Sequence, residues 1–236
     1  MAVPAALPSS SASLQELAER IRPVVLARRA VLPVPGPLER LVPDGGLVRG
    51  SIVTVGGVGA TSLTLQLVAA ASQGGSWVVV VGVGELAPAA VLEAGLDGDR
   101  VAFIDLGGSG RQADVVAALI GAVDVIVIDA RVHLRPAESR RLASRLRERG
   151  SILLALSPGT RVDTSLPSDL SFTVGEARWE GLGCGHGHLR SRRVRVEVGG
   201  RGRASRTSRL ELALPAPDAR VAVDGPDDGT VVAFSR

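Results

Sequence analysis

The 236-residue chain carries 27 basic residues, all of them arginine, against 24 acidic ones, for a net charge of +3, with a single cysteine. That length suits one α/β domain with extensions and can bury a core without covalent staples. One cysteine excludes an internal disulfide framework, and no apolar run reaches membrane-spanning length, so a cytoplasmic protein with no membrane contact is expected.

Residues 1–13 are small, Pro- and Ser-rich and without periodicity, which predicts a disordered N-terminus. A helix is predicted over 14–31. Ser13 and Glu16 form a capping box, and Leu14, Leu17, Ala18 and Ile21 make one apolar stripe that Pro23 ends or kinks. A Pro/Gly-rich lead-in covers 32–50. Strands at 51–55, 76–81, 100–105, 123–129 and 151–156 then alternate with helices at 61–72, 88–94, 112–120 and 136–149. Pro136 fits the first turn of the last helix and Gly150 its C-cap. This alternation predicts a parallel sheet flanked by helices, over 32–174. Strands at 170–174, 189–198 and 209–214 predict a small antiparallel β extension over 175–214, followed by a flexible tail over 215–236. No internal repeat is present.

The turn Gly56-Gly57-Val58-Gly59-Ala60-Thr61-Ser62 joins the first strand to the first helix of the alternation. Gly56, Gly57, Gly59, Thr61 and Ser62 are the candidate nucleotide-binding residues, because free amides and a helix N-terminus attract phosphate. A phosphate loop also needs a lysine on the β- and γ-phosphates, and Ala60 stands there. The loop is also shorter than a full phosphate loop if Gly56 is its first glycine. Asp129 ends an apolar strand, where a carboxylate would hold Mg²⁺. No catalytic residue and no cofactor are assigned; ATP with Mg²⁺ is the one candidate pair, and Ala60 argues against it. Glu85 is a water-activating carboxylate, a ribose-binding acid or a solvated loop residue. Cys184, His186 and His188 alternate with glycines, but there is no second cysteine and His133 is the other histidine. A hairpin with incidental histidines is expected rather than a metal site.

Basic charge is uneven. Seven arginines stand against two glutamates over 131–149, and nine against two over 177–209. Arg190, Arg192, Arg193, Arg195, Arg201 and Arg203 are the candidate DNA contacts, since guanidinium forks suit phosphates. The chain has no tyrosine, three phenylalanines and two tryptophans, so DNA binding would be weak and sequence-indifferent rather than built on stacking.

The segments GLVRGSIVTVGG, TSLTLQLVAAASQGG and VDVIVIDA resemble the strand, phosphate loop, helix and Walker-B portions of bacterial RecA over roughly residues 40–160. Trp179-Glu180-Gly181, the Gly-rich run and Leu189–Val196 resemble the C-terminal portion of ImuA-type proteins, RecA-like accessory factors of mutagenic translesion synthesis, in their actinobacterial form. That resemblance implies a RecA-like fold and a damage-induced, non-catalytic adaptor role. It implies as partners the Y-family polymerase homologue ImuB and an error-prone C-family polymerase. Departures from RecA at Ala60, at Ser157-Pro158 and in the short segments after Asp129 and Leu156 do not carry recombinase activity over. An ATP-dependent recombinase-like ATPase is the alternative reading, and a dinucleotide-dependent oxidoreductase a further one.

Overall fold

The computed structural model describes residues 31–84, 86–106, 111–131, 134–159, 166–182, 187–216, 220–223 and 232–234. The predicted disordered start, the helix over 14–31 and most of the tail lie outside them.

The lead-in is structured. Strand β1 (Val31–Pro33) pairs antiparallel with β2 (Gly46–Val48), and the short helix α1 (Gly36–Glu39), with Pro in its first turn, lies between them. Leu32, Val34, Leu38, Leu41, Val42 and Leu47 are all buried in the same cluster as the first long helix. Proline and glycine concealed this regularity in the sequence, because they fix turns at the ends of elements only three or four residues long.

The α/β alternation follows. It consists of β3 (Ile52–Gly57), α2 (Ala60–Gln73), β4 (Val78–Val81), α3 (Pro88–Glu93), β5 (Val101–Ile104), α4 (Gln112–Leu119), β6 (Val125–Asp129), α5 (Pro136–Arg149) and β7 (Ile152–Pro158). Strands β8 (Leu170–Leu182), β9 (Gly187–Gly200), β10 (Thr207–Ala213), β11 (Ala222–Val223) and β12 (Val232–Phe234) complete the described elements. The sheet runs β11-β10-β9-β8-β3-β7-β6-β4-β5, with β12 also on β10. From β8 to β5 every neighbour is parallel, whereas β9 and β10 are antiparallel additions. This is the predicted fold: a mostly parallel sheet flanked by helices, with a C-terminal antiparallel extension.

Two hydrophobic layers cover the sheet, and the strands alternate between them as a period of two requires. Val125, Val127, Leu154 and Leu156 face the layer of α2. Ile126, Ile128, Leu153 and Ala155 face the layer of α4 and α5. Helix α2 is buried on most of its circumference, from Ala60 through Ser72, because the β1–α1–β2 lead-in covers the side turned away from the sheet. Helix α5 buries only Ser139, Leu142, Ala143 and Leu146. It ends as its sequence dictates, with Gly150 at φ 77° and its N–H donating to the Leu146 carbonyl at 2.7 Å.

The extension is not a separate body. Strand β8 is parallel to β3 on one edge and antiparallel to β9 on the other, so the boundary placed at 174/175 falls inside one 13-residue strand. Phe172 and Val174 share a core with Val194, Val196, Val198, Leu212 and Leu214. The predicted tail also begins inside this core, since Ala216 and Val221 are buried. Ending the chain at Gly175 would strip β8 of its partner and expose that cluster. Such a chain is expected to be insoluble or non-cooperative in urea unfolding, whereas Phe172→Ala in the full chain should cost about 3–5 kcal/mol and keep a single transition.

Candidate functional site

The glycine-rich turn sits at the carboxyl end of β3, where ligands bind in open α/β sheets. Two of its glycines are required. Gly57 has φ 102°, and a β-carbon there would collide with the Val174 carbonyl. That close approach lets the Val58 N–H donate to Val174 O at 3.2 Å, locking the turn to β8. Gly59, at φ 103°, is the N-cap of α2 and offers no side-chain cap. The amides of Ala60, Thr61 and Ser62 begin the helix, where no intrahelical acceptor is available to them. Thr61 and Ser62 are half-buried, and Gly56 is buried beside Ser157, its Cα partner on β7. Ala60 is fully buried in the hydrophobic core. The position that carries a cation in a working phosphate loop is here a packing position.

A cation nevertheless lies on the loop, and it comes from the C-terminal extension. Arg192 of β9 is only 7% exposed. Its Nε donates to the Leu214 carbonyl at 2.9 Å, and Nη2 lies 3.5 Å from Ser62 Oγ. The guanidinium stacks over Trp179, 5.1 Å from the ring centroid. It is pressed so closely on the turn that a β-carbon at Gly59 would collide with Nη2 and lie 2.9 Å from Cζ. No carboxylate pairs with it among the described residues, and desolvation pulls its pKa below the usual arginine value. Arg192, expected as a DNA contact, is instead a buried residue of β9 set against the turn. The signal was present in the sequence: Arg192, Val194, Val196 and Val198 fall on one face of a strand by simple alternation.

Asp129 ends β6, as expected, in register with Leu156 of β7, which in turn pairs with Val55 of β3. One strand thus separates it from the loop, a lateral distance of about 10 Å. Its carboxylate is occupied. Arg131 donates Nη2 to Oδ2 at 2.6 Å, Nε to both oxygens at 3.0 and 3.1 Å, and its backbone N–H to Oδ1 at 2.8 Å. The side-chain hydrogen bonds from Arg131 hold the Asp129 pKa below the ordinary value, outweighing the opposing effect of burial.

The other arginines of the extension disperse. Arg193 pairs with Glu180 at 2.9 Å and Arg195 with Glu211 at 3.0 Å, while Arg209 pairs with Glu197. The outer face of β8–β10 is a set of cross-strand ion pairs. Arg190 and Arg201 are exposed, and Arg201 lies in a short turn with Arg203, whose side chain lies outside the described residues. Glu85, His133, Cys184 and His186 lie outside them too, as does the side chain of His188.

Residues 40–161, more than half of the chain, match the model of a family described as the MT3502 N-terminal domain. The chain belongs to that family. The crystal structure of the RadB recombinase is similar in fold, with a TM-score of 0.57 at 14% identity, covering 79% of this chain and 96% of that one. At that identity the likeness establishes the RecA-like fold and nothing about activity. No curated protein matches the sequence. The strand order also differs from the 3-2-1-4-5-6 order of a dinucleotide-binding sheet: β3, which precedes the glycine turn, neighbours β7 and β8 rather than β4. Among the described residues, no helix is long and apolar enough to cross a membrane.

Two predictions test this geometry. Arg192→Ala should destabilise the protein by about 1–3 kcal/mol, because it leaves the Leu214 carbonyl without its donor and removes the cation from Trp179. Gly59→Ala should cost about 2 kcal/mol or more, as positive-φ strain plus the collision, but only about 1 kcal/mol in the Arg192→Ala background, where strain alone remains. Urea unfolding of the four members of this cycle, followed by tryptophan fluorescence, reads the coupling. Additive costs would mean that the guanidinium does not press on Gly59.

The second prediction concerns acid. A carboxyl whose folded pKa is depressed contributes stability above its unfolded value, and that contribution is lost as pH falls through the folded value. For Asp129 the loss should begin near 3.8, the ordinary value, and continue below it. Because Arg131 is largely exposed, the contribution should stay under about 1 kcal/mol. Asp129→Asn should flatten the stability profile over that range by this amount. An unchanged profile would show the pair to be energetically silent.

Proposed function

We propose that this chain is a non-catalytic RecA-like adaptor of the ImuA type, acting in damage-induced, error-prone translesion DNA synthesis by recruiting or bridging polymerase components. The observation that carries the non-catalytic reading is the treatment of the two phosphate-handling positions. Ala60 is a core residue, and Asp129 is held by Arg131. Phosphoryl transfer depends almost wholly on positioned charge and metal. A buried methyl and an already neutralised carboxylate supply neither. The partners come from the sequence resemblance: the Y-family polymerase homologue ImuB and an error-prone C-family polymerase. No resident cofactor is assigned, and the cell compartment is the cytoplasm.

A second reading has one observation in its favour. Arg192 brings a guanidinium to the N-terminus of α2 and could serve as the cation that Ala60 does not provide, as in an ATP-dependent recombinase-like enzyme. One set of measurements separates the two. The adaptor reading expects no ATP turnover above background, with or without DNA, and no gain in Ala60→Lys, whose ammonium stem would displace core packing. It also expects co-purification of the full chain with ImuB from damaged cells. DNA-stimulated turnover abolished by both Asp129→Ala and Arg192→Ala would establish the ATPase instead, and loss of co-purification would remove the adaptor role.

A further inference from the structure

Three arginines of the paired strands β9 and β10 are compensated, whereas those of helix α5 are not. On β9 and β10, Arg193, Arg195 and Arg209 each meet a glutamate across the strands. On α5, Arg140, Arg141, Arg145, Arg147 and Arg149 are all exposed, and none has a carboxylate partner among the described residues. The two glutamates of the helix are engaged elsewhere. Glu138 accepts the Arg135 backbone N–H at 2.8 Å, and Glu148 accepts the Ser144 hydroxyl at 3.0 Å. Arg141, Arg145 and Arg149 follow one another at i, i+4 and i+8, a row of like charges spanning about 12 Å along the helix. Such spacing makes neighbours repel, so intrahelical stabilisation does not account for the row.

We infer that the exposed face of α5 is a surface for nucleic-acid phosphates, contacting the backbone without reading sequence. Two features favour nucleic acid over an acidic protein. A stable protein interface is anchored by buried apolar or aromatic side chains. The large hydrophobic residues exposed among the described residues are Val48, Val58, Trp77, Leu92, Phe103 and Trp179, none of them on α5. Second, each strand of DNA carries one charge per about 3.4 Å of axis, so the row faces several phosphates at once, and guanidinium forks match their oxygens. With no aromatic on this face, bases have nothing to stack on, and duplex and single strand should bind alike in kind. This inference is independent of the adaptor reading, which concerns protein partners.

The test uses the full chain and a short fluorescein-labelled oligonucleotide, single-stranded and as a duplex, in anisotropy titrations across a salt series. The variant Arg141→Gln/Arg145→Gln is compared with Arg193→Gln/Arg195→Gln. Both remove two positive charges, so any difference reports location rather than net charge, and thermal unfolding checks that both fold. The α5 variant is expected to lose about tenfold or more in affinity at low salt, with the slope of log K against log salt shallower by about 1–2. The β9 variant is expected to stay within about threefold of the unsubstituted chain, because its arginines are already compensated. Equal loss in both variants, loss confined to the β9 variant, or no DNA binding at low salt would each overturn the inference. So would tighter binding to poly-glutamate than to DNA that depends on Arg141 and Arg145, which would make the face a docking site for an acidic protein.

Discussion

The approach of β8 to β3 at Gly57 governs the arrangement of this protein. A β-carbon at that position would occupy the space of the Val174 carbonyl, so only glycine permits β3 to pair with β8 through its last residue. Through β8 the antiparallel strands join the same sheet, and through β9 they deliver Arg192 to the turn. The glycine that would serve a phosphate loop by freeing its backbone serves here to admit a neighbouring strand. Conformational freedom and close approach are the same property of the missing side chain, and the fold uses the second.

The alternating core was legible from the sequence because its strands are continuous apolar runs and its helices have clear stops. Pro136 and Gly150 delimit α5 in the sequence and in the structure alike. The lead-in was not legible, because β1, α1 and β2 are too short to show a period and owe their order to packing over α2. The boundary at 174/175 failed for a related reason. Strand β8 runs through it and pairs antiparallel with β9 on both sides, and what changes there is that its parallel neighbour β3 ends opposite Val174. Of the site, the turn and Asp129 were legible by position. The arrival of a guanidinium at the turn was not, since Arg192 lies more than a hundred residues from the turn it contacts.

The absence of lysine gives this a physical sense. A lysine in the place of Arg192 would be a compact, strongly hydrated charge, costly to bury and readily neutralised. Arginine divides its charge over a plane. One edge donates to the Leu214 carbonyl, one face lies on Trp179, and the remaining tip reaches Ser62. Each contact offsets part of the desolvation without a carboxylate. The result is a cation fixed by neutral partners, stable in a position where an ammonium would need an acid beside it.

The same reasoning separates the three groups of arginine by function. On β9 and β10 the residue opposite is glutamate, and the charges cancel across the sheet. At the turn the cation is buried against the loop and the start of α2. On α5 the charges are exposed and adjacent, with no carboxylate in ion-pair contact among the described residues, so their field extends into solvent, screened beyond about a Debye length. Net charge over the chain is small, yet among the described residues α5 alone gathers five exposed arginines on one helix, while the ion pairs of β9 and β10 compensate locally. A count of arginines along the sequence cannot distinguish these cases. The register of a glutamate on the next strand, or the lack of a carboxylate within ion-pair distance on a helix, decides which arginines remain available to an anionic partner.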